Sequence, residues 1–188
     1  MRVSNWPVIC LLTIAAASAS AQMTGYKDAY TAAEAGKPMA PAKALDVMLT
    51  QFEIELMGVA QAMPADKYGY HPTPDQWTYG KIVSHVIQAN YGVCGMLSGD
   101  GPGKGPTVTD TTPKDQLVTI LKQSFETCQK ALDGLQDSSL GGTITYFRGA
   151  KKPRARALIE LTDDLEDHYS QMASYLRMNG MLPPSAKK

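Results

Sequence analysis

Four stretches of this chain repeat apolar residues at spacings of three and four, and proline or glycine bounds each of them. That period is the mark of a helix with one face in a core. In the first, Leu45, Met48, Leu49, Phe52, Leu56, Val59 and Met63 predict a helix over about Ala42 to Ala62, stopped by Pro64. The second starts near Thr78, a good N-cap, carries Ile82, Val86, Ala89, Val93 and Leu97, and ends at Ser98-Gly99-Asp100-Gly101. The third has Thr112 as expected N-cap, Pro113 at the first helical position and Asp115 in the first turn. Its face is Leu117, Ile120, Leu121, Cys128, Leu132 and Leu135. The fourth begins around Pro153 and runs to Asn179, with Gly180 ending it. Its stripe is Leu158, Leu161, Leu165, Met172 and Tyr175. Four such helices predict an all-α four-helix bundle with at least one long crossover connection. Residues 99–106, rich in glycine and proline, read as a flexible crossover. Residues 143–147 read as one short strand on which no sheet is built.

The 188 residues predict one domain. Lys and Arg number 18, as do Asp and Glu, so no basic excess points to nucleic acid. No apolar run reaches the length of a membrane span. Residues 1–21 read as a secretory signal peptide. Arg2 is its positive end, residues 7–17 its apolar stretch, and Ala19-Ser20-Ala21 its cleavage site. The expected division is then an extension over 22–41, the bundle over 42–184 and a tail over 185–188, in a secreted or periplasmic protein. Cys10 leaves with the signal, and Cys94 and Cys128 remain. An oxidising compartment permits their pairing, and two buried free thiols are the alternative.

The gap in the fourth stripe is filled by His168, where an aliphatic residue belongs. Asp164 stands four residues earlier, on the same face. His85 flanks the stripe of the second helix. The three can converge from facing helices, as bundle metal sites do. Three protein ligands and an open position make a catalytic zinc site, and imidazole also suits nickel. The plainer reading is a core histidine hydrogen-bonded to Asp164, with Asp163, Glu166 and Asp167 on the solvated face. His71, between Tyr70 and Pro72, reads as a surface loop residue. The glycines of 99–105 lack a phosphate-loop spacing. No nucleophile elbow surrounds Ser84 or Ser170. Lys151, Lys152, Arg154 and Arg156 read as solvated charge, and the methionines as gap-filling core.

Three segments resemble a known family: Tyr68-Gly69-Tyr70-His71-Pro72-Thr73-Pro74-Asp75-Gln76-Trp77, then Gly80-Lys81-Ile82-Val83-Ser84-His85-Val86, then Asp167 through Gly180. Their order and spacing are similar to those of the DinB-like superfamily, over about Lys43 to Pro184. The cysteine pair looks like that of an exported subgroup. The resemblance implies a four-helix bundle with a long crossover, and a divalent metal held by a helix-two histidine and an HxxxH pair on the last helix. His85 and His168 match those positions, and Asp164 stands where the family usually has histidine. Related proteins include thiol S-transferases and a maleylpyruvate isomerase, whose thiols are cytoplasmic, so an exported chain fits them badly. Two functions are expected candidates. One is a metal-dependent hydrolase whose divalent cofactor, zinc or nickel, sits on His85, Asp164 and His168. The other is a non-catalytic metal- or small-molecule-binding envelope protein with a degenerate site. An unidentified small molecule and a second copy of the chain are the candidate partners.

Overall fold

The computed structural model describes residues 36–99 and 101–186. The expected signal peptide, with Cys10, and most of the extension lie outside the described residues, as do Asp100, Lys187 and Lys188. The elements are α1 (Pro41–Ala62), α2 (Tyr79–Ser98), α3 (Lys114–Leu132), the single turn α4 (Asp137–Leu140), β1 (Thr143–Thr145), β2 (Lys151–Pro153) and α5 (Arg154–Met178). The four long helices are the expected bundle.

Their ends are set locally. Pro64 closes α1, and two of its last carbonyls are taken by buried tyrosines. Tyr68 Oη donates to Ala60 O at 2.6 Å and Tyr79 Oη to Val59 O at 2.8 Å. Thr78 caps α2 as expected, its hydroxyl accepting from Lys81 N at 3.1 Å. Gly99 ends α2 in the left-handed region at φ 90°, where a Cβ would be strained. Loss of the Thr78 cap in Thr78→Ala is expected to cost about 1 kcal/mol, read by urea unfolding.

Helix directions follow from contacts at the two ends. The starts of α1 and α5 both meet α4: Ala42 N donates to Asp137 Oδ1 at 2.8 Å, and Arg154 Nη1 to Ser139 O at 3.0 Å. At the other end, Lys114 Nζ reaches Gln61 O at 2.8 Å and Tyr175 Oη donates to Trp77 O at 3.1 Å. The order is therefore up, down, down, up. Helices α2 and α3 run parallel and pack on each other, and α2 packs also on α5 and α3 on α1. Parallel neighbours cannot be joined by a short turn, so residues 101–113 travel the bundle's length.

That crossover differs from its expected flexibility. Its backbone lies directly on α2, where a Cβ at Gly95 would stand 2.4 Å from Gly103 N. Val108 is buried, and Val108 O accepts from Gln88 Nε2 at 3.3 Å. Glycine fits here because two backbones meet, so the same residues that suggest a loose linker permit a close one. In Gly95→Ala, helix propensity would gain about 1 kcal/mol. The contact is with backbone, which cannot swing aside, and overpacking costs about 1–3 kcal/mol. A net loss of stability is expected in urea unfolding; a gain would mean the crossover is not seated on α2.

Three further expectations are corrected. Thr112 does not cap α3: its hydroxyl accepts from Thr109 N at 2.9 Å, shaping the turn before the helix, and Pro113 is the cap position. Met48 is exposed rather than buried, and Val47 takes its place in the core. Residues 143–153 form an antiparallel hairpin, with Thr143 opposite Pro153 and Thr145 opposite Lys151. Its tip turns through Arg148 at φ 56°. Three-residue strands carry too little alternation to be seen in pairs. Among the described residues, no helix is long and apolar enough to cross a membrane.

Candidate metal centre

The site lies where descending α2 meets ascending α5. Thr78 fixes the start of α2, which places His85 two turns into the helix and facing α5. On α5, Asp164 and His168 are one turn apart and share the inward face. His85 Nε2 lies 3.4 Å and His168 Nε2 3.5 Å from the same oxygen, Asp164 Oδ1. One donor atom from each of the three residues falls within 4.8 Å of the others. Thus all three sequence-predicted residues are brought together.

Their burial is graded. His168 is buried at 5% exposure, while the His85 and Asp164 side chains are about a third exposed, at 34% and 36%. The site therefore has a closed inner side and an open outer one. Burial would push the Asp164 carboxyl up, but hydrogen bonds and positive charge from His168 and His85 outweigh it and hold the carboxyl well below its ordinary 3.8. A carboxyl held low in the folded chain stabilises that chain fully above its ordinary value and loses the effect as pH falls from there through the lowered, folded-state value. In metal-free Asp164→Asn, the melting temperature is expected to fall less steeply between about pH 5 and pH 2 than in the parent protein.

Two atoms are left over. Asp164 Oδ2 and His168 Nδ1 are buried and find no hydrogen-bond partner among the described residues. A buried carboxylate oxygen without a partner is costly. The Asp164 carboxylate and the two imidazole nitrogens make a nitrogen and oxygen donor set of the kind that zinc and nickel accept. The residues present therefore fit a divalent ion. His168 Nδ1 lies 3.9 Å from Asp167 Oδ2, beyond hydrogen-bond distance, and that oxygen accepts from Gln171 Nε2 at 2.6 Å. Asp167 is exposed, as expected of a solvated charge.

Trp77 is the residue that sequence reasoning quoted without assigning a role. Its ring stacks on His168, with centroids 5.8 Å apart at 21°, and tilts against His85 at 5.1 Å. Its position just before the α2 cap was the available signal, since that residue must pack over the first turn. Outward from the triad, a cleft of about 350 Å³ runs between α2, α5 and the hairpin, lined by Ala89, Val93, Tyr146, Phe147 and Leu161 among others. The hairpin aromatics were missed because the hairpin was. Lys152, expected as solvated, pairs with Glu160 and lies 3.9 Å over the Tyr146 ring. His71 is exposed as expected, its Nδ1 on Thr73 O at 2.7 Å. Ser84 Oγ is spent on Lys81 O at 2.9 Å and makes no nucleophile.

Several solved structures share this architecture. A DinB-like protein from Bacillus cereus is 17% identical over 74% of this chain and 95% of its own, with a TM-score of 0.60. One from Bacillus subtilis is 17% identical over 73% and 92%, at 0.59. A mycothiol-dependent maleylpyruvate isomerase is 12% identical over 70% of this chain, at 0.59, and the chain spans 60% of that protein's length. These identities speak to fold alone. No curated protein matches the chain by sequence. The sequence model of the DinB superfamily matches residues 48–172, which takes in all three triad residues and both cysteines. The chain belongs to the DinB superfamily.

Proposed function

We propose that this protein is a metal-dependent enzyme of hydrolytic type, with one zinc or nickel ion held by His85, Asp164 and His168. The observation that carries the reading is the convergence of one donor atom each from His85, Asp164 and His168 within 4.8 Å, with Asp164 Oδ2 buried and unpartnered. An ion there supplies Lewis acidity and an acidified water. The chain's own residues do the rest. Asp164 draws the two imidazoles to one point. Trp77, itself 43% exposed, packs its ring on both imidazoles and keeps His168 from turning. The exposed side of His85 and Asp164 leaves the outer face to a substrate in the adjoining cleft.

The second reading, a binding protein without chemistry, has one observation in its favour. Asp164 Oδ1 alone bridges both histidines, so the triad holds together as a hydrogen-bonded unit. Hydrolysis of an activated aryl ester by zinc-loaded protein separates the two. Turnover that disappears with chelator and in His85→Ala is expected; equal rates with and without zinc would favour the binding protein. The isomerase among the structural relatives uses mycothiol, a cytoplasmic thiol by the reasoning above. We place this chain outside the cytoplasm, and the Ala19-Ser20-Ala21 site and the Cys94–Cys128 disulfide support that. An N-terminus at Gln22 in protein from the periplasm or medium is expected, and an intact Met1 in the cytosol would contradict it.

A further inference from the structure

The cleft beside the triad has an unusual division of labour among its walls. Its polar groups are largely spent on one another. Glu160 is held by Lys152 and by Arg156 Nε, the latter at 2.8 Å. The Gln88 amide donates to Val108 O. No Lys or Arg is among the described residues that line the cleft, and Lys152 beside it is committed to Glu160 and to the Tyr146 ring, which leaves little to hold a phosphate or a sugar. What remains free is apolar. Phe147 is 42% exposed, and its ring stands edge-on to Tyr146 with centroids 4.9 Å apart. Gly92 gives that ring its seat: a Cβ there would stand 3.0 Å from Phe147 Cζ. Tyr146 is held by Lys152 over its ring and by Phe147 edge-on, so the aromatic corner is built in advance and does not need ordering by a ligand. The volume, about 350 Å³, is at the small end for ligand sites.

We propose that this cleft is a substrate subsite for a small flat apolar group, an aromatic ring carrying one oxygen donor that reaches the triad, with Phe147 as the specificity-determining residue. The ring slides along the Tyr146–Phe147 corner over Ala89 and Val93, and its donor end meets the open side of His85 and Asp164. The inference rests on the proposed metal centre, and its test keeps the two apart. Benzohydroxamate and acetohydroxamate carry the same zinc-seeking head and differ only in the ring. Calorimetry of both against zinc-loaded protein is expected to favour benzohydroxamate by about tenfold or more. In Phe147→Ala, most of that preference is expected to vanish, while zinc uptake and acetohydroxamate affinity stay unchanged. Phe147 is half-exposed, so this variant should fold. Equal affinity for the two probes with zinc bound, or a preference that survives Phe147→Ala, would overturn the subsite alone. No zinc uptake by metal analysis would overturn the metal centre and the subsite with it.

Discussion

Asp164→Ala is expected to lower affinity for zinc by at least about a hundredfold, because it removes a direct donor and even outer partners are worth about 10–100-fold. Asp164→His is expected to keep or strengthen binding. Position 164 is one turn before His168 and faces inward, so an imidazole there enters the same space with a nitrogen donor. The pair of variants discriminates between roles. If the carboxylate only braces the two histidines, from 3.4 and 3.5 Å, then Asp164→Ala should lose no more than about 10–100-fold and Asp164→His should do no better than Asp164→Ala. If it is a ligand, the two should diverge. Inductively coupled plasma analysis after dialysis against a zinc buffer reads the difference. Circular dichroism guards against an unfolded variant.

Loss of the Cys94–Cys128 bond is expected to be the largest stability change available in the chain. The disulfide joins parallel α2 and α3 with Cα atoms 5.0 Å apart and a sequence separation of 34. Loop-closure entropy for such a separation is about 3–4 kcal/mol, a large share of a typical domain's total stability of about 5–15 kcal/mol. For a domain of this size that is about 10 °C in melting temperature. The loop it closes contains the whole crossover, whose other anchors are Val108 and the close approach at Gly95. Both cysteines are fully buried, so a Cys94→Ala, Cys128→Ala double variant is a better probe than reductant. Its metal affinity is expected to be unchanged, since Cys94 is nine residues below His85, roughly 13 Å along α2 at 1.5 Å per residue. Two free thiols per chain in denatured, unreduced protein would contradict the bond.

The parts legible in the sequence share a cause. A long amphipathic helix repeats its signal many times, so α1, α2, α3 and α5 are visible from spacing, with ends marked by Pro64, Thr78, Gly99 and Gly180. His168 is visible for the same reason, as a polar interruption in an otherwise regular stripe. Asp164 follows from helical geometry once His168 is noticed. What depends on single long-range contacts was not legible. The hairpin rests on a few residues, and nothing local places Phe147 against Gly92. Glycine at 95 and 103 reads equally as looseness or as close approach, and only the partner backbone decides. Trp77 had a place in a motif but no role until its ring was seen against both histidines.

Native mass spectrometry with elemental analysis, on untagged protein beginning at Gln22, tests the central claim most directly. The account predicts one zinc or nickel ion per chain, bound in the parent protein, absent in His168→Ala, and accompanied by a drop in melting temperature when a chelator removes it. A metal-free protein whose melting temperature does not respond to chelator, or to added zinc and nickel, would contradict it.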